Sequence, residues 1–343
     1  MKHRLSPRAC GSAFIALAWG LGAAAAQEAP LRLDVPVACT LGEDCLVQNY
    51  LDHDPGPGRA DFACGLLSYD GHDGTDIRTL TLAQMREGVA VLAAAPGRVI
   101  AVRDGEPDVN VNVIGRDAVA GKEAGNAVRI AHGDGWETQY SHLREGSVRV
   151  RPGEVVQAGQ VIGQIGLSGF TEFPHLEFAV RRDGDHIDPF VGLVEDFACG
   201  GERSPLWTPT ADAALAYRPT GLLQAGFADQ APDRAAAARG QYDGIALAAD
   251  RPIVLWYEAM GVKAGDRQRL RLSGPQGAIL DADTVLEADK VVWFAFGGRR
   301  APEGGWPAGT YRADITLSRD GAILFAAEQQ ADVPATERRI PGD

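Results

Sequence analysis

Histidine and acidic residues suited to metal binding or proton transfer occur in three stretches of this chain. The first is Gly71–Asp76, in which His72 precedes Asp76 by four residues. Asp73-Gly74 is a typical turn pair without helical periodicity around it, so a loop or strand end is predicted, which can direct both side chains to one point. One imidazole and one carboxylate are half of a zinc site. Taken alone, the stretch also fits a solvated surface turn.

The second stretch, Phe173–Val180, has the alternation of a β-strand. His175 and Glu177 fall on one face, so two groups able to bind a metal or carry a proton point the same way. The other face is apolar and consists of Leu176, Phe178 and Val180. The third stretch, Tyr140-Ser141-His142, lies between the first two and adds a further histidine.

The elements that position these residues are predicted to be strands. The chain has 343 residues, of which 45% are hydrophobic, and this is enough for two folded domains. It contains 42 glycines and 20 prolines and few long helical patterns, which favours an all-β fold. We predict a first β domain that folds as a small barrel or sandwich, followed by a β-sandwich domain of immunoglobulin-like size. The predicted segments are a signal peptide at 1–26, a leader at 27–63, the first β domain at 64–200, a linker at 201–210 and the sandwich at 211–335.

The N-terminal segment has the pattern of a secretory signal. Lys2, Arg4 and Arg8 precede the apolar run Ala13–Ala26, so cleavage is predicted near Ala26-Gln27. We therefore expect an exported protein, periplasmic or secreted. No later stretch is long and apolar enough to span a bilayer, so no transmembrane segment is expected in the mature chain.

Four cysteines remain after such a cleavage, and an even number in an exported protein favours two disulfides. The sequence allows three connectivities. We prefer Cys39–Cys45 as a local loop and Cys64–Cys199 as a bridge between the two ends of the first domain. A structural zinc site made of all four cysteines is the alternative, although the chain lacks the paired C-x-x-C spacing of such sites.

The charge balance limits the classes of partner. The net charge is −13, so nucleic acid and anionic lipid are poor candidates. The predicted sandwich domain contains no histidine, no cysteine and no recognisable motif, so we expect it to carry no catalysis. It is instead a candidate contact surface for a protein partner.

Taken together and in this order, the three motifs resemble those of the lysostaphin-type, LytM-like zinc endopeptidases that cut peptidoglycan cross-links. The family pattern is His-x-x-x-Asp, then Tyr-x-His, then His-x-His on a strand. His72–Asp76 and Tyr140–His142 match the first two motifs, and Val155–Gly166 matches the glycine-punctuated run before the last. The resemblance covers roughly His72–Pro189. It implies a compact antiparallel β fold of the duplicated hybrid motif type, with the site in a groove across the sheet.

The chain departs from the family at the last motif, where His175-Leu176-Glu177 stands in place of His-Leu-His. By position, the resemblance implies three metal ligands: His72, Asp76 and Glu177. It also implies two catalytic histidines that handle protons and stabilise the tetrahedral intermediate: His142 and His175. Glutamate is a legitimate zinc ligand. Two carboxylates and one imidazole cancel the charge of a dication, however, which should weaken the pull of the ion on bound water. Because the donor set is rich in oxygen, Mn²⁺ or another divalent ion also competes better with Zn²⁺ for the single site.

Two functions follow from the resemblance. The first is a periplasmic, zinc-dependent metallo-endopeptidase that hydrolyses cross-links between the stem peptides of peptidoglycan. The second is a non-catalytic family member that binds cell-wall peptide or a partner hydrolase and regulates cell-wall remodelling. Retention of four of the five site residues favours the enzyme. A sugar-binding β protein outside the family is a third alternative.

Overall fold

The computed structural model describes Met1 and residues 31–335. The remainder of the predicted signal peptide and its cleavage site lie outside the described residues. Residues 31–335 belong to one compact unit. No helix in this described range combines the length and the apolar character needed to cross a membrane.

The first half of the described chain is built around one large sheet. Its strands are, in chain order, β1 (Cys45–Asn49), β2 (Thr75–Thr79), β3 (Ala90–Leu92), β4 (Gly97–Arg103), β5 (Asn126–Gly133), β6 (Trp136–Leu143), β7 (Val155–Val156), β8 (Val161–Gln164), β9 (His175–Arg182) and β10 (Asp185–Ile187). The sheet has the order β1-β2-β9-β6-β5-β4-β7, with β10 beside β9, and all its pairs are antiparallel. β3 pairs with β8 separately. β1 lies in the segment predicted to be a leader and forms one edge of the sheet.

The strand β9 follows the alternation predicted from its sequence. Leu176, Phe178 and Val180 are buried in the core of the first half. Full burial of side chains of this size stabilises the fold by roughly 1.5–3 kcal/mol each. The opposite face of β9 therefore presents His175 and Glu177 away from the core, on what we call the site face.

The second half of the described chain contains two further antiparallel sheets. Their strands are β11 (Gly221–Ala228), β12 (Ile253–Val262), β13 (Arg267–Gly274), β14 (Gly277–Val285), β15 (Lys290–Arg299), β16 (Gly309–Arg319) and β17 (Ala322–Val333). The sheets have the orders β11-β12-β15 and β14-β13-β16-β17. Leu255 of the first and Leu270 and Ile315 of the second belong to one buried core. The prediction of an all-β protein with a β-rich second half is confirmed.

Helices are few and short in the described residues. They are α1 (Leu82–Glu87), α2 (Val111–Ile114), α3 (Pro209–Ala214) and α4 (Arg234–Ala238), with one 3-10 turn at Arg116–Val119. Asp233 caps α4 by accepting a hydrogen bond from the backbone of Ala236 at 2.9 Å. None of these helices carries a residue of the predicted site.

The segment predicted to be a linker, at 201–210, packs against the core. Trp207 is 2% exposed, and its ring lies against Phe178 and Phe190. Met260 of β12 also belongs to the core of the first half. The two halves thus share buried apolar contacts, and the predicted domain bounds remain a prediction.

Two disulfides join the cysteines of the described chain, Cys39–Cys45 and Cys64–Cys199. They are the pairings preferred from the sequence. The second bridge spans 135 residues and fixes the start of the first half to its end. Because all four sulfurs are oxidised, the alternative zinc site made of four thiolates is wrong.

Candidate metal centre

Strands β2 and β9 bring the predicted site residues together. Asp76 lies opposite Glu177, and Arg78 lies opposite His175. Cross-strand partners share a face of the sheet, as do residues two apart on one strand, so all four side chains lie on the site face. β6 pairs with the other edge of β9 and brings His142 to the same place.

His72 and Asp76 form the buried end of the site. His72 precedes β2, and its Nε2 atom lies 3.3 Å from Asp76 Oδ1. Both atoms are buried without a hydrogen-bond partner among the described residues. The other carboxylate oxygen, Asp76 Oδ2, accepts a hydrogen bond from Asn49 Nδ2 at 2.8 Å. Asn49 thus fixes the carboxylate while leaving one oxygen and one ring nitrogen without an internal partner, which is costly unless a ligand satisfies them.

Glu177 completes a donor set suited to a divalent metal. One oxygen of its carboxylate lies within 4.8 Å of both the His72 and the Asp76 donor atoms. The glycine at position 74 leaves room for this side chain, because a Cβ atom there would lie 3.0 Å from Glu177 Cγ. One imidazole and two carboxylates are ligands that zinc and manganese both accept. The unpartnered buried atoms and the donor set together fit a bound metal ion.

The two carboxylates are held in their ionised forms. Burial opposes ionisation of Asp76, but the charge of His72 and the hydrogen bond from Asn49 outweigh it and keep the pKa of Asp76 well below its usual range. Burial likewise opposes ionisation of Glu177, yet contact with His142 lowers the pKa of Glu177. Two negative charges at neutral pH are therefore available to a metal ion.

His142 is oriented by its backbone and by Ser168. Its Nδ1 atom donates a hydrogen bond to the carbonyl of Ser168 at 2.8 Å, since a carbonyl can only accept. This leaves Nε2 facing Glu177 Oε2 at 3.4 Å. Burial opposes protonation of His142, but Glu177 outweighs it, so the pKa of His142 is raised. The residue has a φ of 61°, which a non-glycine residue adopts only at a cost of about 1–3 kcal/mol.

His175 is held in the same tautomer. Its Nδ1 atom donates to the carbonyl of Phe173 at 2.8 Å and lies 3.0 Å from Thr171 Oγ1. Its Nε2 atom lies 3.6 Å from Asp76 Oδ1, and its ring centroid is 4.7 Å from that of His142. Burial lowers the pKa of His175 to about 4, so this ring is neutral at physiological pH. His142 and His175 thus each place an Nε2 atom, which can accept or carry a proton, beside the donor set.

The histidines without a predicted role lie in other contacts. His53 pairs with Asp188 at 2.7 Å. His132 hydrogen-bonds the carbonyl of Pro96 at 2.7 Å. The five predicted site residues, by contrast, lie in one cluster. Their roles as metal ligand or proton carrier stay predictions.

Sequence reasoning missed three residues beside this cluster. Asn49 belongs to β1, in the segment predicted to be a leader, and no motif marks it. Tyr69 stacks on His72 with ring centroids 4.3 Å apart. Arg78 follows Asp76 by two residues, so strand alternation in β2 was a signal that placed it on the site face. Burial lowers the pKa of Arg78 to about 10, and it remains charged at neutral pH.

Comparison with known proteins defines the class. Residues 70–189 match Peptidase family M23. This range contains β2, β6 and β9 and every residue of the cluster. The chain carries an M23 peptidase domain of the LytM-like kind, as the three motifs predict, and its second half lies outside the match.

The individual relatives each match a limited part of this chain. The chain is 32% identical over 101 residues to the cell division protein DipM of Caulobacter vibrioides, which covers 29% of this chain and 15% of DipM. It is 40% identical over 70 residues to the DD-carboxypeptidase/endopeptidase Mpg of Neisseria meningitidis serogroup B, covering 19% of this chain and 14% of Mpg. Among solved structures, a zinc-containing peptidase from Vibrio cholerae is 25% identical, with a TM-score of 0.32 over 46% of this chain and 39% of that one. The chain thus spans about one seventh of the length of these two curated relatives.

Proposed function

We propose that this protein is an exported, metal-dependent endopeptidase that hydrolyses peptide cross-links of peptidoglycan in the periplasm. One observation supports this most directly. His72 Nε2 and Asp76 Oδ1 are buried without a partner among the described residues, and a Glu177 oxygen lies within 4.8 Å of both. The M23 match and the name of Mpg, a DD-carboxypeptidase/endopeptidase, support peptide hydrolysis.

Under this proposal, His72, Asp76 and Glu177 hold the metal ion. A divalent ion supplies a Lewis acid that polarises a peptide carbonyl and makes water nucleophilic near neutral pH. Asn49 orients the Asp76 carboxylate through its 2.8 Å hydrogen bond. Zinc is the expected ion, and manganese is the principal competitor because two of the three ligands are oxygen donors.

His142 and His175 carry the protons. Each imidazole has Nδ1 committed to a backbone carbonyl, so proton exchange takes place at Nε2. The neutral Nε2 of His175 accepts a proton from the attacking water. Nε2 of His142, when protonated, donates a hydrogen bond to the oxyanion of the scissile carbonyl and supplies a proton to the departing amine.

The competing function is a non-catalytic family member that binds cell-wall peptide or a partner hydrolase. Glu177 favours this alternative, since a second carboxylate cancels the charge of a bound dication and weakens its action on water. The two functions differ in one measurable respect. Only the enzyme couples a bound metal to cleavage.

The test combines metal content with hydrolysis. Protein purified from the periplasm is expected to contain stoichiometric zinc or manganese and to release peptides from purified peptidoglycan. His72→Ala should lose both, whereas the control His132→Ala, on the same sheet but outside the cluster, should keep both. Metal without hydrolysis would favour the non-catalytic member. Protein that binds no divalent ion at micromolar concentrations would end the enzyme proposal.

A further inference from the structure

A cavity lined by several charged residues lies beside the metal centre, between the first half of the chain and α4. Its volume is about 260 Å³. Its wall combines the end of β2, the turn before β9 and the start of α4. The ring of Phe173 lines this cavity. So do the charged side chains of Arg78, Glu172, Asp233, Arg234, Arg239 and Glu258.

Arg78 is the buried cation of this cavity. It is 4% exposed. Its Nη1 atom donates to Gln48 Oε1 at 2.6 Å and its Nε atom to the carbonyl of Thr79 at 3.1 Å. No carboxylate lies within 4.0 Å of the guanidinium among the described residues, and Nη2 has no acceptor there. A buried guanidinium that is held by neutral groups alone and lines a cavity is suited to bind an anion from outside.

The acidic groups of the cavity wall do not fill this role. Glu258 is 2% exposed and is already held by Arg234 and by Gln224 Nε2, the latter at 2.9 Å. Asp233 is engaged as the N-terminal cap of α4. The third acidic residue of the wall, Glu172, is exposed. None of these three carboxylates forms an ion pair with Arg78, which therefore remains a buried cation without a carboxylate partner among the described residues.

Arg78 is also close to the groups that would act on a peptide. Its cross-strand partner is His175, and Asp76 is two residues before it on the same face. Its guanidinium lies 4.7 Å from the centre of the Phe173 ring, and that ring lies 4.6 Å from His175. A peptide bound at the metal centre can thus place a neighbouring group in this cavity.

We propose that Arg78 and the cavity around it form a carboxylate-binding subsite that anchors a carboxylate of the peptide in the groove. The carboxylate belongs either to the C terminus of that peptide or to one of its side chains. Arginine suits this role because its planar guanidinium binds a carboxylate through directed, charge-assisted hydrogen bonds. The inference rests on the proposed function in taking peptide as the ligand, but it requires only binding.

The test compares three forms of one peptidoglycan stem tetrapeptide: with all carboxylates free, with the C terminus amidated, and with its side-chain carboxylates amidated. Affinity for the full-length protein is measured by calorimetry in the presence of a chelator, so that a metal ion cannot bind the carboxylate. One of the two amidations is expected to weaken binding about 10- to 100-fold, the range for hydrogen bonds to charged groups. That amidation identifies the source of the carboxylate.

Variants of Arg78 test whether this residue causes the preference for the peptide with free carboxylates. In Arg78→Gln the preference for the free acid should disappear, and in Arg78→Lys it should be partly kept. The matched control is Arg239→Gln, which removes an exposed arginine from the same cavity wall and should leave the preference unchanged. Circular dichroism checks that each variant is folded. Equal affinity of the wild type for all three peptides, or no binding at millimolar concentrations, would overturn the subsite without any variant.

The outcome is separable from that of the proposed function. If the protein prefers the free acid but does not hydrolyse peptidoglycan, the proposed subsite is supported and the proposed enzyme activity is refuted. Hydrolysis by a protein without the preference would do the reverse.

Discussion

Replacing Glu177 tests the candidate metal centre at the position where we predict a departure from the family pattern. Glu177→His converts the donor set from one imidazole and two carboxylates to two imidazoles and one carboxylate. The charge of the ligands changes from −2 to −1, so a bound dication keeps one net positive charge. Glu177→Ala instead removes the donor and leaves His72 and Asp76 alone.

The structure gives the expected sizes of these effects. The Glu177 carboxylate lies within 4.8 Å of the other donors, and no other acidic, histidine or cysteine donor among the described residues joins that group. Mutation of a residue that only hydrogen-bonds a metal ligand lowers metal affinity about 10- to 100-fold. Because Glu177→Ala removes a ligand itself, it should lower metal affinity at least about 100-fold. Glu177→His should tighten zinc more than manganese, because imidazole suits zinc better than it suits manganese. Any hydrolysis should also extend to lower pH, since a more positive site favours ionised water.

The assay is a competition titration with zinc and manganese for the wild type and both variants. Glu177→Gln is the matched control for shape, because it keeps the side-chain length beside Gly74 and removes only the charge. The assignment of Glu177 as a ligand would be refuted if Glu177→Ala bound zinc as tightly as the wild type. Zinc binding that appears only in Glu177→His would instead identify a protein that has lost its metal.

Two further predictions concern catalysis and stability. His142→Ala and His175→Ala should keep the metal and lose about 10²- to 10⁴-fold in hydrolysis of purified peptidoglycan, as for a general acid–base group; loss of metal in either variant, measured by the same titration, would show that the histidine is a ligand. Replacing Cys64 and Cys199 together by serine opens a loop of 135 residues and should lower the free energy of unfolding by about 5 kcal/mol in the chain-entropy model. Urea denaturation followed by circular dichroism measures it, and an unchanged midpoint at equal slope would contradict the expected contribution of the bridge.

The parts of the site that could be predicted are those that depend on short, local sequence patterns. The alternation of β9 determines that His175 and Glu177 leave the core, and this is readable because the side-chain period of a strand is two. The His72–Asp76 spacing is equally local. Neither pattern alone brings the two stretches together, and only the joint match of the three motifs made their convergence predictable.

The parts that could not be predicted depend on pairing between distant segments. Asn49 hydrogen-bonds Asp76 because β1 pairs with β2, across a chain separation of 27 residues, and the segment around β1 is rich in turn signals. Trp207 lies in a polar stretch with prolines, which resembles a linker, yet its ring is buried against Phe178. Register and burial of such segments are decided by tertiary packing, which overrides local composition.

The charges on the site face connect Glu177 with Arg78. A donor set with one carboxylate would leave a bound dication with one net positive charge, which attracts a substrate carboxylate. Under the proposed ligand assignment, Asp76 and Glu177 would both bind the ion and cancel its charge, so the ion would exert little net attraction on an anion. Arg78 supplies a positive charge two residues along β2, on the same face as both carboxylates. At an effective dielectric constant of 20, unit charges about 4 Å apart attract by ~4 kcal/mol, which is ample for recognition. Under the two proposals, the Arg78 guanidinium rather than the metal ion would therefore attract an anionic substrate, and it would position the peptide beside the metal centre without occupying a ligand position.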